Sequence, residues 1–255
     1  MNNGTPQIPN GACGLAIMAK APIAGDVKTR LTPPLTPEEA ALLSGCFLQD
    51  TSRLLNAVAD KRLVRGIGVY TPANTASLFA ELLPPGFLLV PQRGEKLGQR
   101  LAFATDDLFA LGFSSVCLIG SDSPTLPPEV FEETIAVLTQ PSGSNLVIGP
   151  ATDGGYYLIG LRKPCRSLFE EITWSSELVF EQTIERARRL NLKSHILREW
   201  YDVDDATSLQ RLCEELFGSA TNPEQKNTAP ATRHHLEELL KKEGRGRIWP
   251  DSAKR

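Results

Sequence analysis

The chain of 255 residues is long enough to bury a sizeable core, and 41% hydrophobic with 22% charged residues is ordinary globular composition. A net charge of −3 argues against a nucleic-acid-binding protein, which usually carries a basic excess. No apolar run approaches the length of a membrane span, and the first residues lack the apolar core of a signal peptide. The five cysteines are scattered and never paired as Cys-x-x-Cys, which predicts buried thiols rather than a zinc site or a disulfide framework. We therefore expect a cytoplasmic protein that has no nucleic-acid partner and no membrane span.

Short apolar runs alternate with segments of helical spacing along the chain. Six of the runs predict strands, at residues 14–19, 65–70, 87–91, 115–120, 145–150 and 156–161. Several of them lack polar alternation, which is typical of strands covered on both faces. Helices are predicted at residues 37–59, 97–111, 128–138, 177–190, 205–216 and 232–242. This order predicts an α/β fold with a mostly parallel sheet.

The composition changes near the end of this pattern. Residues 218–232 are polar and rich in turn-forming residues, and the segment from residue 241 onward reads as a loosely held basic tail. The predicted organisation is one domain at residues 12–217, followed by a linker, a short helix and a tail at residues 218–255.

The loop after the first predicted strand, KAPIAGDVKTR, is rich in cations. It contains Lys20, Lys28 and Arg30. A P-loop is excluded, because Lys20 and Asp26 stand where that motif needs a glycine and a lysine. Gly25 bends the chain, and the backbone amides of such a turn can form an anion-binding concavity. Since ligands of open α/β sheets gather at the carboxyl ends of strands, the loop predicts phosphate binding, and the alternative is a solvated loop.

Acidic residues follow two other apolar segments. Asp122 comes directly after the strand predicted at residues 115–120, where Asp could also be a plain turn residue. In WYDVDDATSL, Asp205 is a natural helix cap, whereas Asp202 and Asp204 alternate in an extended segment and should share a face. Together with Asp122 these two could hold a hard divalent cation, which favours carboxylate oxygens and the phosphates of a nucleotide.

A third loop, ATDGGYY, joins two predicted strands. An Asp-Gly pair between apolar runs is a strong hairpin signal, so Asp153 and Gly154 could form only a tight turn. The glycine pair Gly154–Gly155 also lets a ligand approach the backbone closely. Tyr156 and Tyr157 should point to opposite faces of the strand.

Six stretches in this order resemble the DUF2064 family. They are KAPIAGDVKTRL, VPQRGEKLGQRL, IGSDSPTL, GPATDGGYYLIGL, ITWSSELV and WYDVDDATSL, between about Leu15 and Leu212. Members of this family are described as nucleotide-diphospho-sugar transferases, and some as glycosyltransferases of arsenosugar biosynthesis. The resemblance implies a GT-A fold, a three-layer α/β/α nucleotide-binding domain. Molybdenum-cofactor and phospholactate nucleotidyltransferases share that architecture, so the fold alone does not select the reaction.

The resemblance also implies roles for particular residues. The nucleotide and its phosphates would be bound by Lys20, Gly25, Lys28, Arg30 and Gln92. The metal, Mg²⁺ or Mn²⁺, would be held by Asp122, Asp204 and Asp202. The sugar or the acceptor would face Asp153, Gly154, Gly155, Tyr156 and Trp174. Asp153 and Lys28 are the expected catalytic residues.

Two features depart from related sequences. Glycosyltransferases of this fold usually carry Asp-x-Asp, whereas Asp122 is followed by Ser123 and Pro124, so a second metal ligand must come from elsewhere. The middle motif usually has an acid before Leu-Gly, and this chain has Lys96 there.

Three functions follow as hypotheses. The first is a metal-dependent glycosyltransferase, in which a nucleoside diphosphate leaves and Asp153 is the candidate base for the acceptor hydroxyl. The second is a nucleotidyltransferase that transfers a nucleoside monophosphate to a phosphorylated small molecule and releases pyrophosphate. The third is a nucleotide-binding module without turnover. The expected partners are a nucleotide or nucleotide sugar and a small-molecule acceptor, and a homodimer is left open.

Overall fold

A seven-stranded sheet forms the middle of the protein, and the computed structural model describes residues 8–59, 63–218 and 228–249. The strands are β1 (Cys13–Lys20), β2 (Val64–Thr71), β3 (Leu88–Pro91), β4 (Ser115–Gly120), β5 (Leu146–Pro150), β6 (Tyr156–Leu161) and β7 (Ser194–Ile196). Their order across the sheet is β3-β2-β1-β4-β6-β5-β7, and only β6 runs antiparallel to its neighbours. The mostly parallel sheet is therefore confirmed, and β7 is a short edge strand that the pattern did not predict.

Helices cover both faces of the sheet. They are α1 (Pro37–Ala59), α2 (Ala76–Leu82), α3 (Leu97–Ala110), α4 (Pro128–Thr139), α5 (Val179–Arg189), α6 (Ala206–Phe217), α7 (Pro230–Glu243) and α8 (Arg245–Ile248). The six predicted helices all form, with ends within two residues of the prediction, whereas α2 and α8 were not predicted. At the start of α1, Thr36 and Glu39 bind each other's backbone amides in a capping box, as their spacing predicts.

Alternate residues of each strand supply two separate cores. Leu15 and Ile17 pack with α1, α2 and α4 on one face, and Ala16 packs with α3 and α5 on the other. Tyr157 and Tyr156 likewise belong to opposite faces, as predicted. The three-layer α/β/α architecture is confirmed. In the described part of the chain, no helix has the length and apolar character needed to cross a membrane.

The carboxyl-terminal helices pack against the rest of the chain. The Asp50 carboxylate on α1 accepts hydrogen bonds from the amides of Ala231 (2.9 Å) and Thr232 (2.8 Å), at the start of α7. Ile248 and Trp249 are buried in a core that α1, α6 and α7 share. The predicted loose tail is therefore wrong for these two residues. The boundary at residue 217 stays a prediction, and most of the predicted linker lies outside the described residues.

The sheet brings the predicted site segments to one edge. The parallel strands β1 to β5 end there, and β6 begins there because it runs the opposite way. Residues 200–204 are held at the same edge by two backbone hydrogen bonds, Thr152 N to Trp200 O (2.9 Å) and Val203 N to Asp122 O (2.9 Å). Segments distant in sequence therefore meet at the carboxyl ends of the strands, where ligands of α/β sheets bind.

Candidate active site

A buried lysine is at the centre of this edge. The Lys28 ammonium lies 2.7 Å from Asp122 Oδ1, 2.9 Å from Asp204 Oδ1 and 2.9 Å from the carbonyl oxygen of Val203. Burial alone would lower the pKa of Lys28, but attraction and hydrogen bonds to the two carboxylates outweigh it and raise the pKa. The lysine therefore stays charged and pairs with two of the predicted metal ligands.

The other cations of the first loop are more exposed. Arg30 donates to Asp204 Oδ2 at 2.8 Å, with its side chain 67% exposed. The Lys20 ammonium donates to the carbonyl oxygen of Asp26 at 2.8 Å, which closes the loop on itself. Gly25 has a φ of +82°, a left-handed turn that favours glycine. The loop thus places cationic side chains around a tight turn, as the sequence predicts.

Asp202 and Asp204 project toward the site because their neighbours are buried. Tyr201 is 3% and Val203 0% exposed, so the alternation predicted for this segment is confirmed. Asp202 does not converge on the lysine, because its Oδ1 accepts a short hydrogen bond from the Ser123 hydroxyl. Asp205 caps α6, accepting from the amide of Ser208 at 2.8 Å.

The turn between β5 and β6 serves as a hairpin and as a wall of the site. Asp153 Oδ1 accepts from the amide of Gly155 at 2.9 Å, the local bond expected of a turn aspartate. Gly154 has a φ of +86°, and a Cβ there would lie 2.1 Å from the carbonyl oxygen of Glu177. The glycine therefore allows the turn to pack closely against the segment that follows Trp174.

Two aromatic residues line the same region. Tyr156 and Trp174 meet edge to face, with ring centroids 6.4 Å apart. A Cβ on Gly98, at the start of α3, would lie 2.5 Å from Trp174 Nε1. The absence of a side chain at Gly98 therefore leaves the space that the indole ring occupies. The Tyr156 hydroxyl is buried and has no hydrogen-bond partner among the described residues. Burial raises the pKa of this hydroxyl well above its usual value, so it stays protonated.

Two adjoining cavities open at this edge. The first, of about 360 Å³, lies against the first loop. Its charged side chains are four cations, Lys20, Lys28, Arg30 and Arg100, and three carboxylates, Asp26, Asp122 and Asp204. The second, of about 650 Å³, lies against the aromatic pair, and its acidic side chains are Asp122, Asp153, Glu177, Asp202 and Asp204. Arg30, Asp122 and Asp204 line both cavities. The first cavity therefore contains most of the cationic side chains and the second is mainly acidic, and the two meet at the ion pairs of Lys28 and Arg30.

Arg100 was not among the site residues predicted from the sequence. Gln92 was predicted to bind the nucleotide, but the pattern gave no contact for its side chain. Gln92 lines the first cavity, but its side-chain amide donates to the carbonyl oxygens of Ala19 (3.2 Å) and Val69 (2.9 Å), which ties strand ends together. Leu97 and Arg100 line the first cavity, whereas the unusual Lys96 does not. The GEKLGQR segment therefore reaches the first cavity through Leu97 and Arg100, which lie on α3 after the unusual Lys96.

The donor chemistry of the acids suits a hard divalent cation. Among the described residues, no three His, Cys, Asp or Glu side chains are grouped so that they could hold a metal. Asp122 and Asp204 nevertheless converge on a single cationic atom, Lys28 Nζ. Mg²⁺ typically uses one or two carboxylates together with substrate phosphates, so this pair fits such an ion. The assignment of Asp122, Asp204 and Asp202 as metal ligands stays a prediction.

Asp202 makes a pH-dependent contribution to stability. Burial, and then repulsion from Asp122, Asp204 and Asp153, raises its pKa from 3.8 to about 7, against the opposing bond from Ser123. Between about pH 4 and pH 7 the folded protein therefore holds a proton that the unfolded chain has released, so this group makes stability fall as pH rises. Asn cannot ionise, so we expect the free energy of unfolding of Asp202→Asn to rise relative to that of the parent as the pH increases through that range. At pH 8 the gain should be on the order of 1 to 4 kcal/mol. Chemical denaturation at pH 4 and pH 8 with a chelator measures it, and a difference that does not change with pH would contradict the assignment.

Known proteins resemble the chain over nearly its whole length. The DUF2064 family model, described as "Uncharacterized protein conserved in bacteria", matches residues 54–176. The solved "putative nucleotide-diphospho-sugar transferase" of Desulfovibrio desulfuricans G20 is 32% identical, with a TM-score of 0.78 over 90% of this chain and 95% of that chain. No curated protein matches the sequence.

Two more distant structures share the fold alone. A CMP:2-keto-3-deoxy-manno-octonic acid synthetase complexed with CTP is 12% identical, with a TM-score of 0.51 over 79% of this chain and 96% of that chain. A cytidylyltransferase from Leptospira borgpetersenii is 13% identical, with a TM-score of 0.50 over 95% of this chain and 99% of that chain. The fold is thus shared with the solved nucleotide-diphospho-sugar transferase and with these two more distant structures. The chain itself belongs to the DUF2064 family.

Proposed function

We propose that the protein is a metal-dependent glycosyltransferase that uses a nucleotide-diphospho-sugar donor. The observation that carries the proposal is the different charge of the two adjoining cavities, since the first has four cationic side chains beside three carboxylates and the second has five acidic side chains beside one arginine. A nucleoside diphosphate is anionic and suits the basic first cavity, with Lys20, Arg30 and Arg100 around its phosphates. An uncharged sugar suits the acidic second cavity, because carboxylates accept hydrogen bonds from its hydroxyl groups.

The lining of the second cavity supports a carbohydrate-sized ligand. Its volume of about 650 Å³ lies within the range of small-molecule sites. Trp174 and Tyr156 offer apolar surface to a sugar ring. Gly155 and Asp153 border the same space and would contact the sugar or the acceptor.

The roles of the charged residues follow from their positions. Mg²⁺ or Mn²⁺ held by Asp122 and Asp204 would neutralise charge on the diphosphate. Arg30 and Lys28 would stabilise the departing nucleoside diphosphate from the first cavity. Asp153, which lines the second cavity, would accept the proton of the acceptor hydroxyl or orient it.

Nucleotidyl transfer is the second candidate. The four cationic side chains of the first cavity could also hold a triphosphate, and they favour this reaction. Its acceptor, however, would be phosphorylated and would have to lie against the carboxylates of the second cavity. Repulsion between like charges disfavours that arrangement, so glycosyl transfer is the better-supported function.

The released product distinguishes the candidates. A thermal-shift screen of nucleotides and nucleotide sugars, with and without Mn²⁺, identifies the donor because a bound ligand stabilises the fold. The donor is then incubated with the protein and candidate acceptors, and the products are separated. Release of nucleoside diphosphate supports the glycosyltransferase, and pyrophosphate supports the nucleotidyltransferase. Binding of a nucleotide without either product would instead indicate a nucleotide-binding module.

A further inference from the structure

Lys28 has no hydrogen-bonding capacity left for a phosphate in this structure. An ammonium group has three N–H donors. Three acceptors lie in reach of Lys28 Nζ, namely Asp122 Oδ1 at 2.7 Å, Asp204 Oδ1 at 2.9 Å and Val203 O at 2.9 Å. The side chain is 6% exposed, so water can do little to replace a lost partner.

The two carboxylates that hold this ammonium are the ones expected to hold a divalent cation. They come from separate loops, and a hydrogen bond from Val203 N to Asp122 O joins those loops. The left-handed backbone of Lys28, with a φ of 49°, directs its side chain from the first loop into this space. Its ammonium therefore occupies the two carboxylates that would hold a divalent cation.

A free metal ion and Lys28 cannot both be paired here. If the metal took Asp122 and Asp204, the buried ammonium would keep only the Val203 carbonyl, and a buried charge without its counter-ions is costly. A diphosphate in the first cavity changes this balance, because Lys28 also lines that cavity and could donate to phosphate oxygens. Every charge then has a partner, the metal with the carboxylates and the lysine with the phosphate.

We propose that Lys28 occupies the metal-binding carboxylates until phosphate arrives, so that the site takes a metal–diphosphate complex and rejects the free metal. This inference rests on the proposed function, since it concerns the same metal and phosphates. It makes Lys28 a selector of the ligand as well as a phosphate contact. Metal and phosphate binding are then coupled, and each raises the affinity for the other by the same factor.

Binding of Mn²⁺ alone tests the competition directly. Electron paramagnetic resonance of free Mn²⁺, without nucleotide, is recorded for the parent, Lys28→Met and Lys28→Gln. Both variants should bind Mn²⁺ at least about tenfold more tightly than the parent, because the carboxylates no longer have a competitor. Lys20→Met is the matched control, since it removes the same charge from the same loop but its ammonium bonds only a backbone carbonyl. We expect its Mn²⁺ affinity to change less than about threefold.

Pyrophosphate, which has no base, tests the coupling. Calorimetry should show that Mn²⁺ strengthens pyrophosphate binding to the parent about tenfold or more, and that this effect shrinks in Lys28→Met. Thermal unfolding of each variant checks that it is folded. If Lys28→Met does not fold, Lys28→Gln is used for the same measurements of Mn²⁺ and pyrophosphate binding. If the parent binds free Mn²⁺ as tightly as the variants, the competition is refuted while the proposed function stands. If none of them binds Mn²⁺ with or without pyrophosphate, the metal site itself is wrong.

Discussion

Asp122→Asn is expected to lose metal-dependent nucleotide binding while the protein remains folded. Replacing residues that only orient a metal ligand commonly costs 10- to 100-fold in affinity, so losing a direct ligand should cost at least about 100-fold. The fold should survive, because the Asp122 side chain is 36% exposed and its carbonyl, which accepts from the amide of Val203, is retained. Nucleotide affinity with and without Mn²⁺, measured by calorimetry, gives the result.

The control for this prediction is Asp205→Asn. It also removes a negative charge, from the residue next to Asp204. Asp205, however, caps α6 and lines neither of the two cavities. Asn is about as good a helix cap as Asp, so stability should change little. Mn²⁺-dependent binding should be retained in this control. Unchanged Mn²⁺-dependent affinity in Asp122→Asn would show that the metal is not bound there.

Asp153→Asn is expected to reduce transfer by about 10²- to 10⁴-fold, the usual contribution of a general base. The amide oxygen of Asn can accept the hydrogen bond from the Gly155 amide that Asp153 accepts now, so the turn should keep its shape. Donor binding should also be kept, because the phosphates and the metal contact other loops. Transfer and donor hydrolysis would be assayed together, and donor affinity separately.

Gly154→Ala separates catalysis from damage to the turn. This change keeps Asp153 but forces a Cβ into a left-handed turn, within 2.1 Å of the Glu177 carbonyl oxygen. It should lower the melting temperature, whereas Asp153→Asn should not. If Asp153→Asn retained near-parent transfer, Asp153 would be a turn residue only. If it lost donor binding as well, Asp153 would belong to the nucleotide or metal site.

The elements that were predicted correctly have strong local signals. The central strands are continuous apolar runs, and α1 begins at a complete capping box. The missed strand, β7, has three residues at the sheet edge and contains a serine and a histidine. The missed helix α2 has seven residues and no side-chain cap. Short elements of this kind depend on tertiary packing, which a local pattern does not contain.

The candidate site was predictable in location but not in its pairings. Lys28 and Asp122 each follow a strand, so the rule that ligands bind at strand ends directs attention to the edge of the sheet where the structure brings the two together. Whether Lys28 faces phosphate or carboxylate depends on its left-handed backbone and on the bond between Val203 and Asp122. The hydrogen bond of Asp202 could not be predicted either, because its partner Ser123 lies 79 residues away in sequence. Such pairings arise only when distant loops meet.

The burial of the carboxyl-terminal helices has a practical consequence for anyone who shortens this protein. Leu236 and Trp249 share a core with Phe47, and the Phe47 ring lies 5.6 Å from the Lys28 ammonium. A fragment cut to the family-model boundaries, residues 54–176, would keep Asp122 and Asp153 but omit Lys28, Asp202 and Asp204. A fragment that stopped after α6 would keep all five of these residues. It would lose Leu236 and Trp249, which share a core with the Phe47 ring next to Lys28. Expression clones for biochemical work should therefore extend at least through Trp249.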